Sequence, residues 1–258
     1  MHDAQVTPAG DRIRWIELPG SGEGRPRVYL HGLGASSGPY FAATAVHPAL
    51  AGPRSLLVDL LGFGISDRPE DFPYTLEAHA DTLAAALRAA EVTDADVIAH
   101  SMGGSVAIVL ATRHPSLVAR LVLVDANLDA LPAVRGRVGS SGIASYGEEE
   151  FVSGGWREVR DHVGAHWWST MRLAGLTALH RSAVSLAAGS DPVMREQLLG
   201  LDLPRTFVHP EADGAPDGAA ELAAAGVRLV AIPDCDHNIM LDNPEAFARA
   251  TAAALADG

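Results

Sequence analysis

The stretch Asp96-Val97-Ile98-Ala99-His100-Ser101-Met102-Gly103-Gly104-Ser105-Val106-Ala107-Ile108-Val109-Leu110 constrains the chain more than any other. A short apolar run with β-branched Val97 and Ile98 suits a buried strand, and the longer run after the glycines suits a buried helix. Between them the chain has to turn sharply, at Ser101. Small residues at Ala99, Gly103 and Gly104 let strand and helix approach without a Cβ clash. The turn predicts a strained serine whose hydroxyl is exposed at a helix N-terminus, where the dipole and free N–H groups favour negative charge. These are the mechanics of a nucleophile elbow, G-x-S-x-G, with Ala99 in place of the first glycine. An ordinary N-cap serine is the plain alternative.

With 258 residues and 48% hydrophobic content, the chain predicts one α/β domain with a sizeable core and room for an insertion. The formal net charge of −13 argues against nucleic acid or an anionic membrane as partner. All 19 basic residues are arginine. The single cysteine, Cys235, excludes an intrachain disulfide and a cysteine-based metal cluster. No basic segment followed by an apolar run opens the sequence, and the longest apolar stretch, residues 106–112, is too short to span a bilayer. A cytoplasmic protein without a membrane partner is therefore expected. Its oligomeric state is not legible.

Taken in order, residues 1–25 suggest a polar hairpin with apolar points at Ile13, Trp15 and Leu18 and a turn at Pro19-Gly20-Ser21-Gly22. Arg27-Val28-Tyr29-Leu30 is a short strand running into His31-Gly32-Leu33-Gly34. A glycine-flanked segment at a strand end frees backbone N–H groups to face a ligand, and an oxyanion-hole donor is expected there. The backbone of Leu33 is the candidate, with the N–H of Met102 as the second donor; His31 reads as a brace for the loop. Ser55-Leu56-Leu57-Val58 is the next strand, ending in Asp59-x-x-Gly62-x-Gly64-x-Ser66. Helical spacing of Leu76, Ala80, Leu83, Leu87 and Ala90, with Thr75 as N-cap, predicts a helix. Arg120-Leu121-Val122-Leu123-Val124 reads as a fully buried parallel strand ending at Asp125-Ala126-Asn127. Further strands are expected over residues 204–209 and 227–232. The second of these precedes Pro233-Asp234-Cys235-Asp236-His237-Asn238, and a last helix starts near Pro244.

On the motifs His31-Gly32-Leu33-Gly34, Asp59-x-x-Gly62-x-Gly64-x-Ser66, Ala99-His100-Ser101-Met102-Gly103-Gly104 and the loop at His237, the chain resembles the α/β-hydrolase superfamily, in its esterase, lipase and lactonase-like branch. The resemblance implies a mostly parallel central sheet flanked by helices, with a helical cap inserted between core strands. It places the core at residues 1–127 and 201–258 and the cap at 128–200. It also implies chain order serine, acid, histidine, with Ser101 as nucleophile and His237 as general base. His100 reads as pocket lining, and His209, at a strand end, is the next histidine to consider.

Two carboxylates compete for the acid position. Asp213 lies in His209-Pro210-Glu211-Ala212-Asp213-Gly214, which resembles the usual acid turn after the seventh strand. Asp125 follows a wholly apolar strand, where a carboxylate is costly unless paired or hydrogen-bonded, and this favours a role for it. Some superfamily members, macrocyclic lactone hydrolases among them, place the acid there. Trp156, Trp167, Trp168 and Met171, in the expected cap, are candidates for an apolar substrate pocket. Packing of cap on core is the plain alternative for each.

The chemistry implied is cleavage of a carboxylic ester or lactone of a small, fairly apolar molecule by a Ser101-Asp125-His237 triad. Carbon–carbon cleavage of a diketone is a variant of the same chemistry. A non-hydrolytic member of the superfamily, such as an isomerase, a tailoring enzyme or a ligand-binding receptor, is the alternative from another class. No cofactor or metal is expected. No H-E-x-x-H spacing is present, and Gly62-x-Gly64 lacks the third glycine of a dinucleotide fingerprint.

Overall fold

The computed structural model describes residues 1–21 and 24–256; Gly22 of the first expected turn and the last two residues of the expected core span lie outside them. Eight strands in those residues form one sheet. They are β1 (His2–Gln5), β2 (Arg12–Leu18), β3 (Arg27–Leu30), β4 (Ser55–Asp59), β5 (Ala95–His100), β6 (Val118–Val124), β7 (Arg205–Pro210) and β8 (Val227–Ile232). Their spatial order is β1-β2-β4-β3-β5-β6-β7-β8. The β1–β2 hairpin is antiparallel and β2 runs antiparallel to β4, while the pairings from β4 to β8 are parallel. This is the α/β architecture the sequence predicts.

The parallel strands β4 and β5 are buried at every position, because helices cover both faces of the sheet. Helices α2 (Leu76–Ala89) and α3 (Met102–Arg113) pack together and build the core of one face with Val97, Leu121 and Leu123. Helix α1 (Ser37–Ala45) and the final helix Pro244–Ala256 close the other face over Tyr29, Ile98 and Val122. Each Leu, Val or Ile buried this fully contributes about 1.5–3 kcal/mol. The expected N-cap of α2 is present: Thr75 Oγ1 accepts from the Ala78 N–H at 3.1 Å. No element was expected over α1.

The strand order also locates the site. The chain leaves β3 toward β4 on one side, yet β5 inserts on the other side of β3. The loops following β3 and β5 therefore diverge, and a crevice opens between them at the carboxyl ends of the strands.

Between β6 and β7 the chain carries a helical insertion that includes Ser140–Ile143, Trp156–His162, Ala165–Met171, Leu176–Ala188 and Met194–Gly200. The residues from Trp167 to Leu179 fall in two helices. The first ends at Met171, and the second starts after Gly175, whose N–H donates to the Gly62 carbonyl at 2.9 Å. That contact diverts the backbone from helical pairing and ties the insertion to the loop after β4. Further ties are the Leu76 N–H to Ser185 Oγ, at 3.1 Å, and His79 Nε2 with Ser182 Oγ, at 3.0 Å. Among the described residues no helix is long and apolar enough to cross a membrane.

Candidate active site

Ser101 sits between β5 and α3 with φ 52° and ψ −122°, a strained conformation for a residue with a side chain. Its N–H donates to the Val124 carbonyl at 2.9 Å, and its own carbonyl accepts from the Gly104 N–H at 2.8 Å, so both flanks hold the turn. The two glycines are needed for close approach. A Cβ on Gly103 would lie 2.5 Å from the His31 carbonyl oxygen, and one on Gly104 would lie 2.4 Å from Ala126 Cβ. The neighbouring strand ends in the same way: Asp125, directly after β6, has φ 44° and donates its N–H to the Val208 carbonyl at 2.8 Å.

The strand-end loops bring Ser101, Asp125 and His237 to one end of the sheet. His237 Nδ1 lies 2.5 Å from Asp125 Oδ2, with the imidazole half exposed. An Nδ1–H donated to the carboxylate leaves the Nε2 lone pair free to accept a proton. Asp213 stands in an exposed turn after β7 and makes no hydrogen bond or ion pair with His237. The Ser101 hydroxyl is directed to Asn127 Oδ1, at 3.3 Å, while Ser101 and His237 line the same cavity of about 480 Å³.

The loop after β3 forms another wall. Its Gly32 packs so closely that a Cβ there would lie 3.0 Å from Ser101 Cβ and 2.9 Å from His100 Nδ1. The Leu33 N–H makes no backbone hydrogen bond among the described residues, and the Met102 N–H opens helix α3. His31 acts as a brace: its Nδ1 donates to the Gly32 carbonyl at 2.8 Å, and its Nε2 accepts from the Leu60 N–H at 3.1 Å. Complete burial lowers its pKa, against the pull of Asp59, and keeps that tautomer neutral.

Of the four apolar pocket candidates, Trp167 lines the cavity. Its indole N–H also donates to the Leu33 carbonyl at 2.8 Å, joining the insertion to the glycine-flanked loop. Trp156, Trp168 and Met171 are not among the cavity-lining residues. Trp168 stacks on Trp156 with ring centroids 6.1 Å apart, Arg157 and Arg160 cover the same Trp156 ring, and Met171 is buried against the core. For these three the packing alternative describes the placement. His209 turns its Nδ1 to the Pro210 carbonyl, at 3.0 Å.

One residue at the site, Asn127, escaped the sequence reading, and His100 does more than was expected of it. Asn127 holds the Ser101 hydroxyl and, through its carbonyl, the Ser105 hydroxyl at 2.7 Å. Its place two residues after Asp125, in the turn leaving β6, was the available signal. His100 was expected only to line the pocket. Its Nε2 also donates to the His237 carbonyl at 2.9 Å, and the two rings lie 4.6 Å apart. Burial, then the nearby His237, holds the His100 pKa well below its ordinary value, so a neutral imidazole straps the His237 loop in place.

Residues 28–139 match the family model described as alpha/beta hydrolase fold. Among curated proteins, the 2-hydroxymuconate semialdehyde hydrolase of Pseudomonas sp. (strain CF600) is 38% identical over 133 residues, which are 51% of this chain and 46% of that protein. That of Pseudomonas putida is 34% identical over 132 residues, again 46% of its length. The chain thus covers about half the length of these relatives. Among solved structures, an esterase from Exiguobacterium antarcticum superposes with a TM-score of 0.79 at 21% identity, covering 99% of both chains. An N-acyl homoserine lactonase superposes with a TM-score of 0.74 at 20% identity, covering 99% of this chain and 96% of that one. At such identities the likeness is one of fold.

Proposed function

We propose that the chain, whose fold is that of the α/β hydrolases, is a serine hydrolase that cleaves a carboxylic ester or lactone of a small molecule through an acyl-enzyme. The observation that carries this reading is the 2.5 Å contact between His237 Nδ1 and Asp125 Oδ2 beside a cavity that Ser101 also lines. In the proposed cycle the Ser101 hydroxyl turns from Asn127 to His237 Nε2 and attacks the carbonyl carbon as the imidazole takes its proton. Asp125 holds the tautomer and stabilises the imidazolium. The N–H groups of Leu33 and Met102 receive the developing oxyanion. His237 then protonates the leaving alkoxide, and water, deprotonated by the same imidazole, releases the acid. Leu33, Tyr40, Leu131, Trp167 and Leu186 give the cavity apolar wall, which supports a largely apolar substrate body. The helical insertion, held to the core through Trp167, serves as the cap of this pocket.

A second reading has its own support. The curated relatives include 2-hydroxymuconate semialdehyde hydrolases, so hydrolysis of a carbon–carbon bond is the competing reaction. Steady-state turnover of p-nitrophenyl acetate and butyrate, a γ-lactone and 2-hydroxymuconate semialdehyde separates the two. Ester or lactone hydrolysis that disappears in Ser101→Ala supports the first. Turnover confined to the semialdehyde supports the second, and tight ligand binding without any turnover supports a non-hydrolytic role.

A further inference from the structure

Among the described residues the cavity wall holds one permanent charge, and its place in the fold is unexplained. Arg137 lies on the loop between β6 and the helix Ser140–Ile143, and it lines the cavity that holds Ser101 and His237. Among the described residues its guanidinium has no hydrogen bond, ion pair or ring contact within the chain. The other arginines of the insertion are engaged. Arg195 grips Asp129 with two hydrogen bonds of 2.9 and 2.6 Å, and Arg181 grips Glu148 with two of 2.7 Å. Arg135, two residues away, pairs with Glu150 and covers the Tyr146 ring at 3.6 Å.

The missing partner does not reflect a shortage of carboxylates, since the chain has 32 Asp and Glu against 19 arginines. Among the described residues no Asp or Glu lines this cavity. Arg137 also borders a small neighbouring crevice that contains Glu158, but that carboxylate accepts from the Tyr146 hydroxyl at 2.8 Å. Ser140, on the same wall and nearly buried, has a hydroxyl that makes no hydrogen bond among the described residues. An unpaired fork of N–H donors, a free hydroxyl and an acid-free wall form a receptor for a planar anion, and guanidinium suits a carboxylate in bidentate geometry.

We propose that Arg137 is the anion-recognition point of this cavity, and that the preferred substrate is an ester or lactone bearing a second, free carboxylate. The inference rests on the hydrolase reading and adds the charge of the substrate to it. The reacting carbonyl sits at Ser101, and the carboxylate at the far end of the acyl chain pairs with Arg137. Salt weakens the pairing, because the guanidinium is exposed.

The test compares mono-p-nitrophenyl glutarate with p-nitrophenyl butyrate in the wild type, Arg137→Gln and Arg137→Lys. The readout is the ratio of kcat/KM for the anionic ester over the neutral one. The wild type is expected to favour the glutarate, Arg137→Gln to lower the ratio at least tenfold (about 1.4 kcal/mol), and Arg137→Lys to restore part of it. A wild type that favours the neutral ester, or a ratio unchanged in Arg137→Gln, overturns the proposal while leaving the hydrolase reading intact. If the wild type turns over neither ester, the hydrolase reading for these substrates fails. The anion site is then read by calorimetric titration with mono-p-nitrophenyl glutarate. Saturable binding that weakens tenfold in Arg137→Gln supports the site, and equal or absent binding in both proteins overturns it. Melting curves of each variant exclude unfolding as the cause.

Discussion

Replacing Asp125 by asparagine isolates the contribution of one charge to the proposed cycle. Asp125 occupies a left-handed conformation, φ 44°, which asparagine tolerates as well as aspartate, so the turn after β6 is preserved. Its carboxylate lies 2.5 Å from His237 Nδ1, which places the carboxylate and imidazolium charges about 4 Å apart. At an effective dielectric of about 20 their attraction is about 4 kcal/mol. Solvent at the half-exposed imidazole reduces this to about 2–3 kcal/mol, or about a hundredfold in rate. Asparagine brings a second loss, because its amide N–H pairs with a bare Nδ1 and moves the imidazole proton to Nε2, away from the role of base. The same change in a serine-protease triad costs about 10⁴ in kcat. A fall in kcat of about 10²–10⁴ is therefore expected, with KM changed little and the melting temperature nearly constant. The control is Asp213→Asn, which should retain wild-type turnover. Steady-state kinetics on p-nitrophenyl butyrate, with thermal melts of each variant, decides the matter. Full activity in Asp125→Asn together with loss in Asp213→Asn would refute the reasoning and move the acid to the loop after β7.

Two further outcomes follow from contacts around the site. Trp167→Phe keeps an aromatic ring, though a smaller one, and removes the N–H donated to the Leu33 carbonyl, a bond worth about 1 kcal/mol. Since that bond steadies the loop proposed to bind the oxyanion, kcat should fall about fivefold at nearly constant KM; a change in KM alone would contradict it. The second outcome concerns acid stability. Burial pushes the His79 pKa down from 6.5 to about 3, so below 6.5 the unfolded chain binds a proton that the folded chain refuses. The stability is complete above 6.5 and is lost as pH falls through that window toward about 3. His79 alone should cost about 2 kcal/mol between pH 7.5 and 5, and His100, shifted the same way, adds to the slope. Urea unfolding at the two pH values measures this, and His79→Gln should flatten the dependence; an unchanged slope would show that another group governs it.

The sheet was legible because strands buried on both faces must be apolar throughout. Residues 121–124 and 97–99 carry that demand openly, and Gly103 and Gly104 record the close approach of α3 to the loops around it. Helix α1 was not legible, since Gly38 and Pro39 read as breakers although they fall in a first turn that tolerates proline. The break between the two insertion helices depends on Gly175 meeting Gly62, a contact between segments more than a hundred residues apart. Both acid candidates follow adjacent parallel strands, so spacing left them open, and only the fold sets the distance from each to His237. The apolar side chains of the insertion show the same limit. The sequence offers Trp156, Trp168 and Met171 as pocket lining or as packing, but not that the two tryptophans stack on each other and Met171 packs on the core, with Trp167 turned to the cavity. The roles of His100 and Asn127 arise from backbone carbonyls and a hydroxyl delivered by distant parts of the chain.

The central claim is that the Ser101 hydroxyl is made nucleophilic by the imidazole of His237. Labelling of the folded protein with a fluorophosphonate, followed by peptide mass mapping, tests it most directly. A single adduct on Ser101, absent in Ser101→Ala and slowed at least a hundredfold in His237→Ala, is the expected result. Folded wild-type protein that takes no label, or that takes it on another residue, would contradict the account.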